Sequence, residues 1–439
     1  MSNHIIKIEN MFKYSILLLF LLLQGCHGNE NKSEGLATDT EVSAAYSIDL
    51  IQGMESDSAA FYLSNIADSI KFIPLETSDY SVIAQIRNIL IDDSSIFIGS
   101  SSGQDGSFFY RFSIEGKFLN RIGAIGRGPG ESLNSSFTLD KEGNRFLVLR
   151  LDGKKCILAY NYRGTFLGEL PIAVPDDVAD FACLSGGRIV FQPIAKGISA
   201  QILPDLNLFE LYDSLGDLLD KNIHPIVQFR NILYDKMLRT AINGGINLSR
   251  GEALLFHERD DTIYRTLHDK ILPAFILQKG KYTPPILDRY KAINLGQYPY
   301  LIDKGPWILE TDSLVFLRQG LENKLYLFEY NKESGKTRSS HTIAESGTGS
   351  GGYLFTDFPG FIDNISGSGH KMTLRQRTGS QGSIIAVPYT ASQFIEEFSN
   401  VNGKLLINAN SLGSEQRQLL IESVTENDNP IIVLVYLKN

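Results

Sequence analysis

Three segments of the chain superpose without a gap when aligned on a glycine: FSIEGKFL at 112–119, YNYRGTFL at 160–167 and YDSLGDLL at 212–219. Each has an aromatic residue four positions before the glycine (Phe112, Tyr160, Tyr212) and two apolar residues shortly after it. A glycine accepts the positive φ of a tight turn, and alternating apolar residues on either side make two half-buried strands, so each segment is expected to be a β-hairpin. Gly116, Gly164 and Gly216 lie 48 and 52 residues apart. A period near 50 residues, with room for four short strands per unit, is the arithmetic of a β-propeller blade.

A second periodicity sets the number of blades. Six apolar stretches end in a polar residue: IFIGS at Ser100, FLVLR at Arg150, RIVFQ at Gln192, ALLFH at His257, LVFLR at Arg318 and KMTLR at Arg375. The intervals run from 42 to 65 residues, blade-sized throughout. Six blades of four antiparallel strands follow, although residues 224–250 and 278–305 leave room for a seventh. If the six strands are equivalent, their polar ends stand near one rim of the central channel. Arg150, Gln192, His257, Arg318 and Arg375 are therefore candidate ligand-binding residues. The arginines suggest an anionic ligand such as a uronic acid or sulfated sugar, since the planar guanidinium suits carboxylate and sulfate.

The stretch RIGAIGRGPGESLNSSFTLDKEGNRFLVLRLDGKKCILAYNYRGTFL, 121–167, resembles an NHL-type propeller repeat, with its glycine-rich link, Asp-Gly turn and final hairpin. From about residue 68 to 439 the chain resembles the six-bladed, NHL/TolB-like β-propeller lipoproteins common in Bacteroidetes, including IPLETSD near residue 73 and the terminal ENDNPIIVLVYLK. The resemblance implies an all-β six-bladed propeller; it names no activity, because propellers host unrelated functions.

The N-terminus carries an address. Lys13 precedes a short apolar run, Ile16 to Leu23, followed by Gln24, Gly25 and Cys26. This is the pattern of a signal peptide over 1–25, too short to span a bilayer. Leu23-Gln24-Gly25-Cys26 resembles a bacterial lipobox, which implies lipid attachment at Cys26 and a place in the cell envelope, with the outer membrane favoured. Residues 26–67 begin polar and small and are expected to form a tether, leaving 68–439 as the propeller domain. Losing residues 1–25 removes two lysines and one glutamate, so the formal charge moves from −9 to −10. An acidic chain is a poor partner for nucleic acid. Cys156 and Cys183 sit in apolar runs and are expected to be small buried hydrophobes rather than a disulfide.

Catalytic signatures are sparse. The link GAIGRGPGE, 123–131, lacks both the Lys-Ser/Thr of a phosphate-binding loop and a following helix, and Pro129 removes a backbone donor. It is expected to join the outer strand of one blade to the inner strand of the next, with Arg127 exposed toward the mouth as a further candidate ligand contact. GSSSG at 99–103 has the outline of a nucleophile elbow but continues into another strand, so a hairpin loop is expected. The seven histidines and three cysteines show no metal spacing, and neither a metal nor another cofactor is expected. DKEGN at 140–144 reads as a β-turn, and ASQFIEEFSN and SEQRQLLIESVTE carry apolar residues at helical spacing near the C-terminus. The expected function is binding of an extracellular glycan, peptide or protein at the channel mouth; the alternative is a polysaccharide-active, lyase-like enzyme at the same place. No catalytic residue is assigned. Finally, SIKFIPLE at 69–76 and NPIIVLVYLK at 429–438 are expected to meet and close the ring, since an unclosed propeller leaves two bare sheet edges.

Overall fold

The structure, a computed structural model, describes residues 45–56, 60–101, 107–133, 136–176, 178–193, 207–223, 244–249, 251–257, 260–285, 299–301, 307–343, 359–374, 383–399 and 411–438. The chain enters through β1 (Tyr46–Asp49), α1 (Leu50–Glu55) and β2 (Ala67–Pro74) before the repeating blades begin. Blade 1 is β3 (Gln85–Ile91), β4 (Ser95–Ser101), β5 (Ser107–Ser113) and β6 (Phe118–Ile122). Blade 2 is β7 (Phe137–Asp140), β8 (Arg145–Arg150), β9 (Cys156–Asn161) and β10 (Phe166–Glu169). Blade 3 is β11 (Val178–Cys183), β12 (Ile189–Pro193), β13 (Asn207–Tyr212) and β14 (Leu218–Ile223). Blade 4 is β15 (Gly244–Ser249), β16 (Glu252–His257), β17 (Thr262–Leu267) and β18 (Lys270–Gln278), and blade 5 is β19 (Ile308–Glu310), β20 (Leu314–Leu321), β21 (Lys324–Asn331) and β22 (Thr337–Ile343). A short hairpin, β23 (Phe361–Ile362) and β24 (Lys371–Met372), precedes β25 (Ile384–Tyr389), α2 (Ala391–Ser399), α3 (Ser411–Ser423) and β26 (Ile431–Leu437). Within blades 1 to 5 each strand pairs antiparallel with the next, and the first strands approach one another around the axis, β7 to β11 and β11 to β15.

The aligned glycines explain how blades register. Gly116, Gly164 and Gly216 sit at the turn between third and fourth strands with φ of 89°, 89° and 96°. A Cβ on them would lie 2.2 Å from Pro74 O, 2.6 Å from Arg121 O and 2.3 Å from Pro171 O. Each turn is thus pressed against the outermost strand of the preceding blade, or the residue just past it, and only glycine leaves room. Arg121 belongs to β6 and Pro171 follows β10, so Pro74 marks β2 as the outermost strand of blade 6. There β2 pairs antiparallel with β26, from Ala67 with Leu437 to Pro74 with Ile431, and β26 pairs with β25. The two ends of the chain close the ring as expected. By this topology β25, β26 and β2 take the second, third and outermost positions of the last blade, and α2 and α3 are inserted between its second and third strands.

The core is distributed among the seams. Six apolar clusters fill the six interfaces between neighbouring blades. Phe97 and Phe109 of blade 1, for example, meet Phe146 of blade 2, while Leu147 of blade 2 meets Phe181 and Phe191 of blade 3. Because strand residues alternate between faces, each blade feeds two seams with one strand's consecutive side chains. Cys156 and Cys183 are buried in these seams and unbonded to each other.

The expected tether, 26–67, overlaps the folded body. Residues 46–56 and 60–67 belong to the folded body: β1 adds to β18 in parallel, making blade 4 five-stranded, and Tyr46 stacks on Phe275 at 5.7 Å. Asp49 caps α1 through Ile51 N and Gln52 N. The helix lies on blade 5, where Thr337 N donates to Gln52 Oε1 at 2.8 Å and Ser339 Oγ donates to Gly53 O at 2.9 Å. The polar composition of 26–44 concealed this change, since β1 is only four residues long. Residues 1–44, which include the expected signal peptide and Cys26, lie outside the described residues. Among the described residues no helix is long and apolar enough to cross a membrane.

Candidate functional site

In an up-and-down blade the second strand ends where the first begins, so second-strand ends, the loops that follow them and the links between blades share one face. The glycine-rich link 123–131 is on that face, between β6 and β7. Its interior is occupied by the chain's own carboxylate: Gly128 N donates to Glu131 Oε2 at 2.8 Å, and a Cβ on Gly126 would lie 2.0 Å from the same oxygen. Tyr160 Oη donates to Gly130 O at 2.8 Å and fixes the link to β9. Arg127 is exposed there.

The expected rim of polar strand ends divides into two kinds. Arg150, two residues from Val148, faces blade 1, because Val148 packs with Phe97 and Phe109. Its Nε donates to Lys154 O at 3.1 Å, its Nη1 to Gly128 O at 3.3 Å, and its Nη2 lies 3.7 Å from Glu169 Oε1 on the outermost strand of its own blade. Lys154, hydrogen-bonded to Glu169, and then Arg150 hold the Glu169 carboxyl below its ordinary value. Arg318 shares a face with Phe316, which packs against Phe72 and Val433 of blade 6. It is 1% exposed, donates from Nη2 to Leu374 O at 2.8 Å and lies 4.4 Å from the Trp307 ring centroid. These two arginines are bonded within separate seams, Arg150 on the face toward the preceding blade and Arg318 on the face toward the next. The physical reason is the period of two: a one-residue difference in where the polar residue ends its strand turns it to the opposite seam. Arg375 lies outside the described residues, and the second strand of blade 6 is β25 rather than KMTLR. Ser100 is buried, and the 102–103 half of GSSSG also lies outside the described residues.

Gln192 and His257 are the two rim residues that the fold brings together. Val190 packs with Leu255 across the seam of blades 3 and 4, so Gln192 faces blade 4 and His257 faces blade 3. Gly244 pairs with His257 across the ladder, and a Cβ on it would lie 2.0 Å from Gln192 Nε2. Asp180, the register partner of Gln192 on β11, adds a carboxylate to the same face. Gln192 is 1% exposed, and among the described residues neither its Oε1 nor its Nε2 has a hydrogen-bond partner. A buried polar atom left unpaired costs about 1–3 kcal/mol, so such a group in a native fold asks for an explanation.

The next seam, between blades 4 and 5, holds a partly enclosed, water-sized pocket bordered by Phe256, His257, Asp260, Trp307, Ile308 and Gln319 among others. Asp260 follows the second strand of blade 4, and Trp307 precedes the first strand of blade 5, so the pocket is on the mouth face. Thr262 N donates to Asp260 Oδ1 at 3.1 Å, and Tyr264 Oη donates to Oδ2 at 2.9 Å. Burial, then the Asp260 carboxylate, pushes the Tyr264 phenol up. Gln319 is 2% exposed, and among the described residues its Oε1 has no hydrogen-bond partner. Trp307, Gln319 and Asp180 were missed in the sequence because they become neighbours of the rim only through cross-strand register and blade packing. Asp260 was visible there only as a turn carboxylate. Among the described residues no group of three or more His, Cys, Asp or Glu is placed to hold a metal.

Known proteins place the chain by fold and family. Among curated proteins, none matches it. A protein from Bacteroides fragilis described as exported is 20% identical in a solved structure, over 90% of this chain and 100% of that one, with a TM-score of 0.60. A Bacteroides vulgatus protein of the DUF4221 family is 10% identical over 85% of this chain and 97% of that one, with a TM-score of 0.42. The family model described as domain of unknown function DUF4934 spans residues 45–436, which takes in β1 as well as β26, and the chain belongs to that family.

Proposed function

We propose that this protein is an envelope propeller, held by lipid at Cys26, that binds an extracellular ligand on the mouth face of blades 3 to 5. One observation carries the reading: two nearly fully buried glutamine side chains, Gln192 and Gln319, have amide atoms without partners among the described residues, in adjacent seams on that face. Ligand groups that complete those hydrogen bonds would recover what the free fold forgoes. The flanking Asp180, His257, Asp260 and Trp307 supply charge, donor and aromatic surface. Peptide, protein and glycan ligands all offer matching groups, and an anionic glycan loses favour because Arg150 and Arg318 are committed to the fold. The location is supported by the Leu-x-Gly-Cys junction and by the exported B. fragilis protein that shares the fold.

The test is a glycan and peptide binding screen on the purified protein, with product detection in the same wells. Binding that is lost in Gln192→Ala and His257→Ala but retained in the exposed Arg127→Ala is the expected result. Binding unaffected by either mouth substitution, or turnover of a polysaccharide, overturns the reading. Cys26→Ala is expected to release the protein from the membrane fraction; a variant that stays membrane-bound refutes the anchor.

A further inference from the structure

We draw no further inference here: the strongest candidate, the buried Arg417 guanidinium on α3 in the insertion of blade 6, with Nε and Nη1 unbonded among the described residues, carries nothing because residues 400–410 and the side chains of 411–416, next to it in the chain, lie outside that description, and nothing in the structure shows what group it meets.

Discussion

Deleting the chain after Asn427 removes β26, and with it the central strand of the described sheet in blade 6. Ile431, Ile432, Val433, Leu434 and Val435 are each 0% exposed, and they divide between the seams to blade 5 and blade 1. At about 1.5–3 kcal/mol for each fully buried aliphatic side chain, these five contribute roughly 8–15 kcal/mol. That equals the whole net stability of a typical domain, about 5–15 kcal/mol. The deletion also strips the ladder partners from β2 and β25 together. The truncated protein is therefore expected to lose its cooperative transition, followed by far-ultraviolet circular dichroism and Trp307 emission. A graded version, Leu434→Ala, is expected to lower stability by about 2–5 kcal/mol while keeping one transition. A truncated protein that melts as the intact one does would refute ring closure through β26 and the seam-by-seam core built on it.

Gly164→Ala places a Cβ 2.6 Å from Arg121 O at a φ of 89°; a cost of about 1–3 kcal/mol is expected in chemical denaturation, against no measurable change for the solvent-facing Arg163→Ala. Arg150→Met breaks the contacts to Gly128 O, Lys154 O and Glu169, and a loss of about 1.5–3 kcal/mol with unchanged ligand binding is expected if Arg150 fastens the link. Burial, partly offset by Arg150, pushes Tyr160 from 10.0 up to about 12. The protonated phenol is the form the fold favours, so its contribution is complete below pH 10.0 and is lost as pH rises through about 12. Melting temperature should fall over that window and fall less in Tyr160→Phe, with Tyr162, Tyr212 and Tyr264, also raised, accounting for the remainder.

The propeller and the meeting of its two ends were legible in the sequence because they rest on local chemistry. A glycine that must adopt positive φ and strands that alternate in polarity repeat with the blade, and so the repeat is visible without coordinates. The candidate site was legible only in part. Gln192 and His257 were nominated by their place at strand ends, as were Arg150 and Arg318, but the pattern of apolar run and polar end does not say which face of the blade the last residue takes. That depends on register, and register is set by pairing with distant strands: Gly244 opposite His257, Asp180 opposite Gln192. The membership of β1 in the folded body was hidden for a related reason, since β1 is held by Phe275 to Gln278, more than two hundred residues away. The sequence by itself determined the fold class, the blade period and the turns, all of which need only a few neighbouring residues. Only the tertiary structure decided which polar side chains face one another, because that choice is made at the seams between blades, where residues far apart in the chain compete for the same buried space.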